Sequence, residues 1–268
     1  MDYIQKAIDK ARDERQRNID GATESKSSQS EQEVAPIDDD VLSINYTKTK
    51  QVELSDKVLS KNRVIAGFDH DKRSEPYRQL RTQVLQKLRA NSWKTLAVTS
   101  PNDGAGKSVT AVNLAIALSK EVNQTVLLID LDFRNPTVHK LLGIEPSGGL
   151  IDHLKGEKDL SELMLNPNME RLVLLPGKQD KSYTSEILST PKMYALLKDV
   201  TTRYESRIII FDIPSLLVND DALIFTPYVD AALLVIEEGV TTPDQLEESM
   251  KILEGTNFLG AVLNKSES

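Results

Sequence analysis

Thr95-Leu96-Ala97-Val98-Thr99, followed by Ser100-Pro101-Asn102-Asp103-Gly104-Ala105-Gly106-Lys107-Ser108-Val109-Thr110, is the stretch that decides the fold. The first five residues form an apolar run of the kind a buried strand shows, and Val109 to Lys120 carries helical spacing. A phosphate chain needs several backbone N–H donors converging on it, and residues without a Cβ let the main chain come that close. Gly104 and Gly106 supply that freedom. Lys107 adds a point charge for the β and γ oxygens, Ser108 offers a hydroxyl to Mg²⁺, and the helix aims its positive end at the phosphates. Pro101 stands where the pattern G-x-x-x-x-G-K-[ST] has its first glycine. Alone, the Gly-Lys-Ser triplet reads equally as an ordinary turn before a helix.

Two further strand ends bear on that choice. Val126-Leu127-Leu128-Ile129 has the continuous apolar character of a strand buried on both faces, and it ends in Asp130-Leu131-Asp132-Phe133-Arg134. Arg207-Ile208-Ile209-Ile210-Phe211 ends in Asp212, with Pro214 breaking the strand just beyond. Ligands of an open parallel sheet bind outside the carboxyl ends of its strands, so acids there are placed to hold Mg²⁺ directly or through water. Each aspartate taken singly reads as a helix cap or turn residue; three at strand ends, in one chain with Gly-Lys-Ser, read as a nucleotide–metal site.

Composition narrows the classes. A chain of 268 residues buries one substantial core with room for an appendage. It has no cysteine, which excludes disulfides, thiolate zinc sites and cysteine nucleophiles. His70, His139 and His153 are scattered and read as surface or supporting residues. The net charge of −8 argues against nucleic acid as the main partner, since phosphate backbones require a basic face. No apolar stretch approaches the roughly 20 residues of a membrane span, and the N-terminus is charged rather than signal-like. The expected location is cytoplasmic, unless a partner holds the chain at the membrane.

Along the chain, residues 1–17 read as an amphipathic helix, with Tyr3, Ile4, Ala7, Ile8 and Ala11 on one side. It has to bury that stripe on the body, on a partner or on a membrane. Residues 18–44 are a flexible acidic linker, poor in apolar residues. Residues 45–268 form the globular domain. Glu75 to Leu88 is helical by spacing, with Pro76 in the first turn. Strands are expected near 95–100, 125–131, 171–175, 207–213, 231–237 and 258–263, with helices at 107–120, 185–204 and 243–254. Leu150 to Leu165 also carries helical spacing, read as core. This alternation predicts an α/β, doubly wound, mainly parallel sheet covered by helices on both faces.

The loop 99–108 and the strand ends 128–134 and 208–214 resemble the Walker A, Walker A′ and Walker B elements of bacterial tyrosine kinases, which belong to the wider MinD/ParA-like class of P-loop ATPases. The resemblance spans about residues 45 to 264. Glu75-Pro76-Tyr77-Arg78-Gln79-Leu80-Arg81 fits the ExxRxxR element with which those kinases assemble rings, so Glu75, Arg78 and Arg81 are the implied oligomerisation residues; the alternative is a local Glu75–Arg78 surface pair. The segment Ile4 to Arg12 is similar to the start of exopolysaccharide- and exosortase-associated autokinases. The resemblance implies ATP and Mg²⁺ as cofactors. It implies a nucleotide cradle from Asp103, Gly104, Ala105, Gly106, Lys107, Ser108 and Val109, and metal contacts from Ser108, Asp132 and Asp212. Lys107, Asp130 and Asp132 are the implied catalytic residues, Asp130 activating the attacking hydroxyl. Asn264 resembles a position that meets adenine, or it is a strand-end turn. Asn102 and Asp103 stand where many MinD and ParA relatives carry a signature lysine, which favours the kinase branch.

Two departures accompany the resemblance. The family's usual C-terminal tyrosine cluster has no counterpart after Tyr228, and Ser215 stands where relatives often have a second proline. The implied function is a tyrosine kinase of polysaccharide synthesis and export, working with a membrane chain-length determinant protein and with copies of itself. The alternative is a non-kinase assembly ATPase of the same machinery. Tyr3, Tyr46 and Tyr183 are the expected mobile acceptors; Tyr77, Tyr194, Tyr204 and Tyr228 are expected to be structural.

Overall fold

Runs of β-branched and leucine residues at 95–99, 125–130, 172–175, 207–212 and 231–237 leave no polar face for solvent, so each has to lie between two helical layers. In the computed structural model they do. The structure describes residues 49–180, 182, 184–204 and 206–266; the expected helix and linker at 1–44, together with Tyr46 and Tyr183, lie outside the described residues. In chain order the elements are β1 (Lys50–Gln51), α1 (Asp56–Lys61), α2 (Glu75–Ala90), β2 (Thr95–Thr99), α3 (Lys107–Ser119), β3 (Thr125–Asp130), α4 (Val138–Leu142), α5 (Leu150–Lys155), α6 (Leu160–Leu163), β4 (Leu165–Asn166), β5 (Leu172–Leu175), α7 (Thr184–Leu188), α8 (Pro191–Thr202), β6 (Arg207–Asp212), α9 (Asp221–Phe225), β7 (Ala231–Glu237), α10 (Pro243–Ile252) and β8 (Asn257–Asn264). The strands form one sheet in the order β1-β4-β5-β3-β6-β2-β7-β8. Every pairing is parallel except β4 with β5.

The two-residue period of the strands sorts their side chains between two cores. Leu96, Val98, Val126, Leu128, Ile208, Ile210, Leu233 and Val235 pack with α1 to α4. Ala97, Leu127, Ile129, Ile209, Phe211, Ala232 and Leu234 pack with α5 to α9. The α3 helix is buried along almost its whole length, which is why its sequence is apolar all round.

All six expected strands are present, and the sheet is doubly wound and mainly parallel. The expected helix at 185–204 is two helices, because the Thr190 hydroxyl accepts the Met193 N–H and Pro191 takes the first helical position, starting α8 afresh. The stretch 150–165 also divides. Gly156 adopts φ +84° and ends α5, and the Asp159–Glu162 capping box starts α6. Leu150, Ile151, Leu154 and Leu163 are buried, as their spacing implied.

One buried amide fastens the chain before α2 to the α3 helix. Asn113 is fully buried; its Oδ1 accepts the N–H groups of Ile65 (2.8 Å) and Ala66 (2.9 Å), and its Nδ2 donates to the carbonyls of Arg63 (2.9 Å) and Val109 (2.8 Å). Asn113→Ala strands two buried donors, each costing about 1–3 kcal/mol. The expected result is a loss of roughly 3 kcal/mol of unfolding free energy in urea; a loss below about 1 kcal/mol would show that the amide is dispensable.

Candidate functional site

The β3 and β6 strands pair in register, so Asp130 lies directly beside Asp212 at their carboxyl ends. Both residues share the parity of Val126, Leu128, Ile208 and Ile210, which places their side chains on the α3 side of the sheet. The β2 strand runs between β6 and β7 and delivers the loop 100–106 to the first residue of α3, Lys107. Gly106 precedes that helix with φ +95°, a left-handed conformation that disfavours any Cβ. A Cβ there would also lie 2.1 Å from Asn264 Nδ2. That amide donates to the Ala105 carbonyl at 2.7 Å, so the end of β8 braces the loop from below.

Lys107 is the electrostatic centre. Its Nζ donates to Asp132 Oδ2 at 2.6 Å and stands 3.8 Å from Asp212 Oδ1; the three side chains are 9, 7 and 0% exposed. Burial alone drives an ammonium toward neutrality, but the Asp212 and Asp132 carboxylates outweigh it and push the Lys107 pKa up. Asp130 is held well above the usual carboxylate range, by burial first and then by the neighbouring Asp212 charge. Burial likewise raises Asp212, against the pull of Lys107 and Ser108.

The carboxylates differ in how they are satisfied. Asp130 Oδ1 accepts the Asp132 N–H and its Oδ2 accepts those of Thr137 and Val138, each at 3.1 Å. Asp132 Oδ1 accepts the Asn135 N–H at 3.0 Å. Both oxygens of Asp212 are buried without a hydrogen-bond partner. An orphaned, fully buried carboxylate on the phosphate-loop side is the donor that a hard divalent cation requires, and Ser108 at the start of α3 faces the same space. Among the described residues no cluster of three or more acidic or histidine side chains already surrounds one point.

The structure brings Asp103 to Val109, Asp130, Asp132, Asp212 and Asn264 to one end of the sheet. Glu75, Arg78 and Arg81 lie elsewhere, on α2, and are bonded within the chain: Arg78 Nε donates to Glu75 Oε2 at 2.9 Å, and Arg81 pairs with Glu121 at 3.1 Å. Sequence reasoning missed the residues that hold the site's turns in place. Thr99 Oγ1 donates to the Pro214 carbonyl (2.8 Å), Leu216 N to Ser100 O (2.8 Å) and Leu217 N to Pro101 O (3.0 Å), lacing the loop to the turn after β6. Asp221, 1% exposed, accepts from Arg134 Nε (2.7 Å), Thr184 Oγ1 (2.9 Å) and Ser185 Oγ (2.7 Å), and so secures the turn that carries Asp132. The one sequence signal was Arg134 directly after the acidic pair; its partner lies 87 residues away.

A model of the AAA domain family matches residues 93–238. Tyrosine-protein kinase YwqD of Bacillus subtilis is 32% identical over 193 residues, covering 71% of this chain and 80% of that protein. The chain belongs to the bacterial tyrosine-protein kinase family. The succinoglycan biosynthesis transport protein ExoP of Rhizobium meliloti is 26% identical over 212 residues, covering 77% of this chain and 26% of that protein. The kinase domain of the Escherichia coli tyrosine kinase ETK superposes with a TM-score of 0.69 at 24% identity, covering 82% of this chain and 91% of that one, which shows the shared fold. Family membership implies nucleotide binding with a divalent metal.

Asp212 is a cost to the free protein, since Lys107 already has Asp132 as its near partner. Replacing it by Asn removes a buried charge while keeping its shape, so Asp212→Asn is expected to raise the unfolding free energy in urea by about 1 kcal/mol. ATP turnover and its Mg²⁺ dependence should fall, by at least ~10-fold in rate. A variant less stable than wild type with turnover intact would contradict this assignment.

Proposed function

We propose that this chain is a Mg²⁺- and ATP-dependent protein-tyrosine kinase acting in exopolysaccharide or capsule synthesis and export, on the inner face of the membrane. The observation that carries the reading is Lys107: an ammonium at the start of a buried helix, flanked by Asp130, Asp132 and an Asp212 whose carboxylate has no hydrogen-bond donor. Membership of the tyrosine-kinase family and the likeness to a polysaccharide transport protein support the substrate class and the setting. Among the described residues no helix is long and apolar enough to cross a membrane. A membrane chain-length determinant protein is the proposed recruiting partner, and Glu75, Arg78 and Arg81 the proposed contacts between copies.

In this reading the loop N–H groups of 104–108 cradle the phosphates, and Lys107 leaves Asp132 to meet the β and γ oxygens. Mg²⁺ held at Asp212, Asp132 and Ser108 supplies the divalent charge that offsets the triphosphate. Asp130 accepts the proton of the tyrosine hydroxyl as that oxygen bonds the γ-phosphorus, and the bond to the β–γ bridging oxygen breaks to release ADP. Its raised basicity suits that role, and Oδ1, with one donor, keeps a lone pair for it. Asp130 is wholly buried, so a tyrosine hydroxyl reaches it only after the site rearranges. Asn264, beside the loop, is the proposed adenine contact.

Two body tyrosines are partly exposed yet engaged: Tyr194 packs edge-on against Tyr228, and the Tyr204 ring lies 3.9 Å from the Arg207 guanidinium. Tyr194 and Tyr204 are 47 and 48% exposed, while Tyr77 packs partly buried against the core. The test is to incubate the protein with Mg²⁺-ATP and the cytoplasmic segment of the chain-length partner, then map phosphotyrosine. Phosphotyrosine on either protein is expected, and Lys107→Met should turn over ATP at least ~100-fold more slowly. ATP turnover without phosphotyrosine on either protein would replace the kinase reading by the assembly ATPase; unchanged turnover by Lys107→Met would overturn both.

A further inference from the structure

The phosphate loop carries an acid at its mouth. Asp103 immediately precedes Gly104 and is exposed, so its charge stands beside the place where a triphosphate would bring more negative charge. A free carboxylate there opposes binding. In the structure it is not free: the hydroxyl of Ser215, fully buried in the turn after β6, donates to Asp103 Oδ1 at 2.6 Å. Ser100 Oγ lies 3.2 Å from Ser215 Oγ and donates its own proton to the Asn102 carbonyl at 2.8 Å. Each hydroxyl has one proton, so the proton of Ser215 is committed to Asp103 and that of Ser100 to the loop backbone. A proline at position 215 would offer no hydroxyl, and the carboxylate would lose this donor.

We propose that Ser215 is a positioning residue of the nucleotide site. Its hydroxyl holds the Asp103 carboxylate against the turn after β6 and away from the phosphates, and it makes the loop and the strand end bearing Asp212 move as one body. The three other bonds between residues 99–101 and 214–217 already align the two turns. The Ser215 hydroxyl adds restraint of a charge, and a charge-assisted bond of this kind is stronger than a neutral one. The inference rests on the nucleotide reading of this site.

The experiment is calorimetric titration of the full chain with Mg²⁺-ATP, for wild type, Ser215→Ala, Asp103→Asn and the double variant, with ATP turnover measured alongside. Ser215→Ala is expected to weaken binding about 10-fold, a coupling of about 1.4 kcal/mol, with the loss falling on KM more than on kcat. In the Asp103→Asn background the same change should cost less than about 2-fold, since no charge remains to restrain. An equal loss in both backgrounds would show a merely structural role and overturn the proposal, as would binding by Ser215→Ala within about 2-fold of wild type. Asp103→Glu leaves the buried turn untouched but moves the carboxylate away from Ser215. It too should weaken binding, and wild-type affinity in that variant would overturn the proposal even if Ser215→Ala failed to fold. Failure of the wild type to bind Mg²⁺-ATP would instead remove the nucleotide reading itself.

Discussion

A single buried ammonium faces three carboxylates at one end of the sheet, and the rest of the structure serves that imbalance. Taking charges out of water costs several kcal/mol each, and attraction to one lysine offsets only part of that cost for Asp130, Asp132 and Asp212. The free protein responds where it can. Asp130 collects backbone donors and Asp132 takes the lysine's hydrogen bond, while Asp212 has only the more distant charge of Lys107 at 3.8 Å and shares with Asp130 a raised pKa caused chiefly by burial. A site with excess negative charge and an orphaned carboxylate is poorly suited to an empty protein and well suited to one that receives a divalent cation with its nucleotide.

The scaffold keeps this arrangement from relaxing. Register between β3 and β6 fixes Asp130 beside Asp212, and the left-handed Gly106 lets the backbone turn into α3 at the point where Lys107 reaches Asp132 and Asp212. Loops at the carboxyl ends would otherwise be free to swing the charges apart. They are tied from two sides: the turn after β6 is laced to residues 99–103, and the segment after β3 is held through Arg134 by Asp221, itself gripped by Thr184 and Ser185. Asn113 does the same for the chain that runs past the other flank of α3.

How much of this was legible depended on range. The strands were readable because an apolar run of four to eight residues has few alternatives, whereas β1 and β4, two residues each, are too short to show a period. Helix breaks at Gly156 and Pro191 were written in the sequence, but the hydrophobic spacing ran across them and masked them. The acids at strand ends pointed to the site. Their supports did not, since Ser215 meets Asp103 across 112 residues and Asn264 meets Ala105 across 159. Tyr194 shows the limit of reasoning by element alone: Met193, Leu196, Leu197 and Val200 take the face of α8 toward the core, which turns Tyr194 outward, where its ring meets Tyr228.

The most direct test of the charge imbalance is the melting temperature of the wild-type chain with ATP alone, Mg²⁺ alone and both together. If the three carboxylates and Lys107 are arranged for a cation carried by a nucleotide, saturating Mg²⁺-ATP should stabilise the fold by about 3 kcal/mol at a hundredfold excess over its dissociation constant, a rise of roughly 6–12 °C. Each component alone should give a small fraction of that rise. An equal rise with ATP in the presence of a chelator, or no rise with the two together at millimolar concentration, would contradict the account.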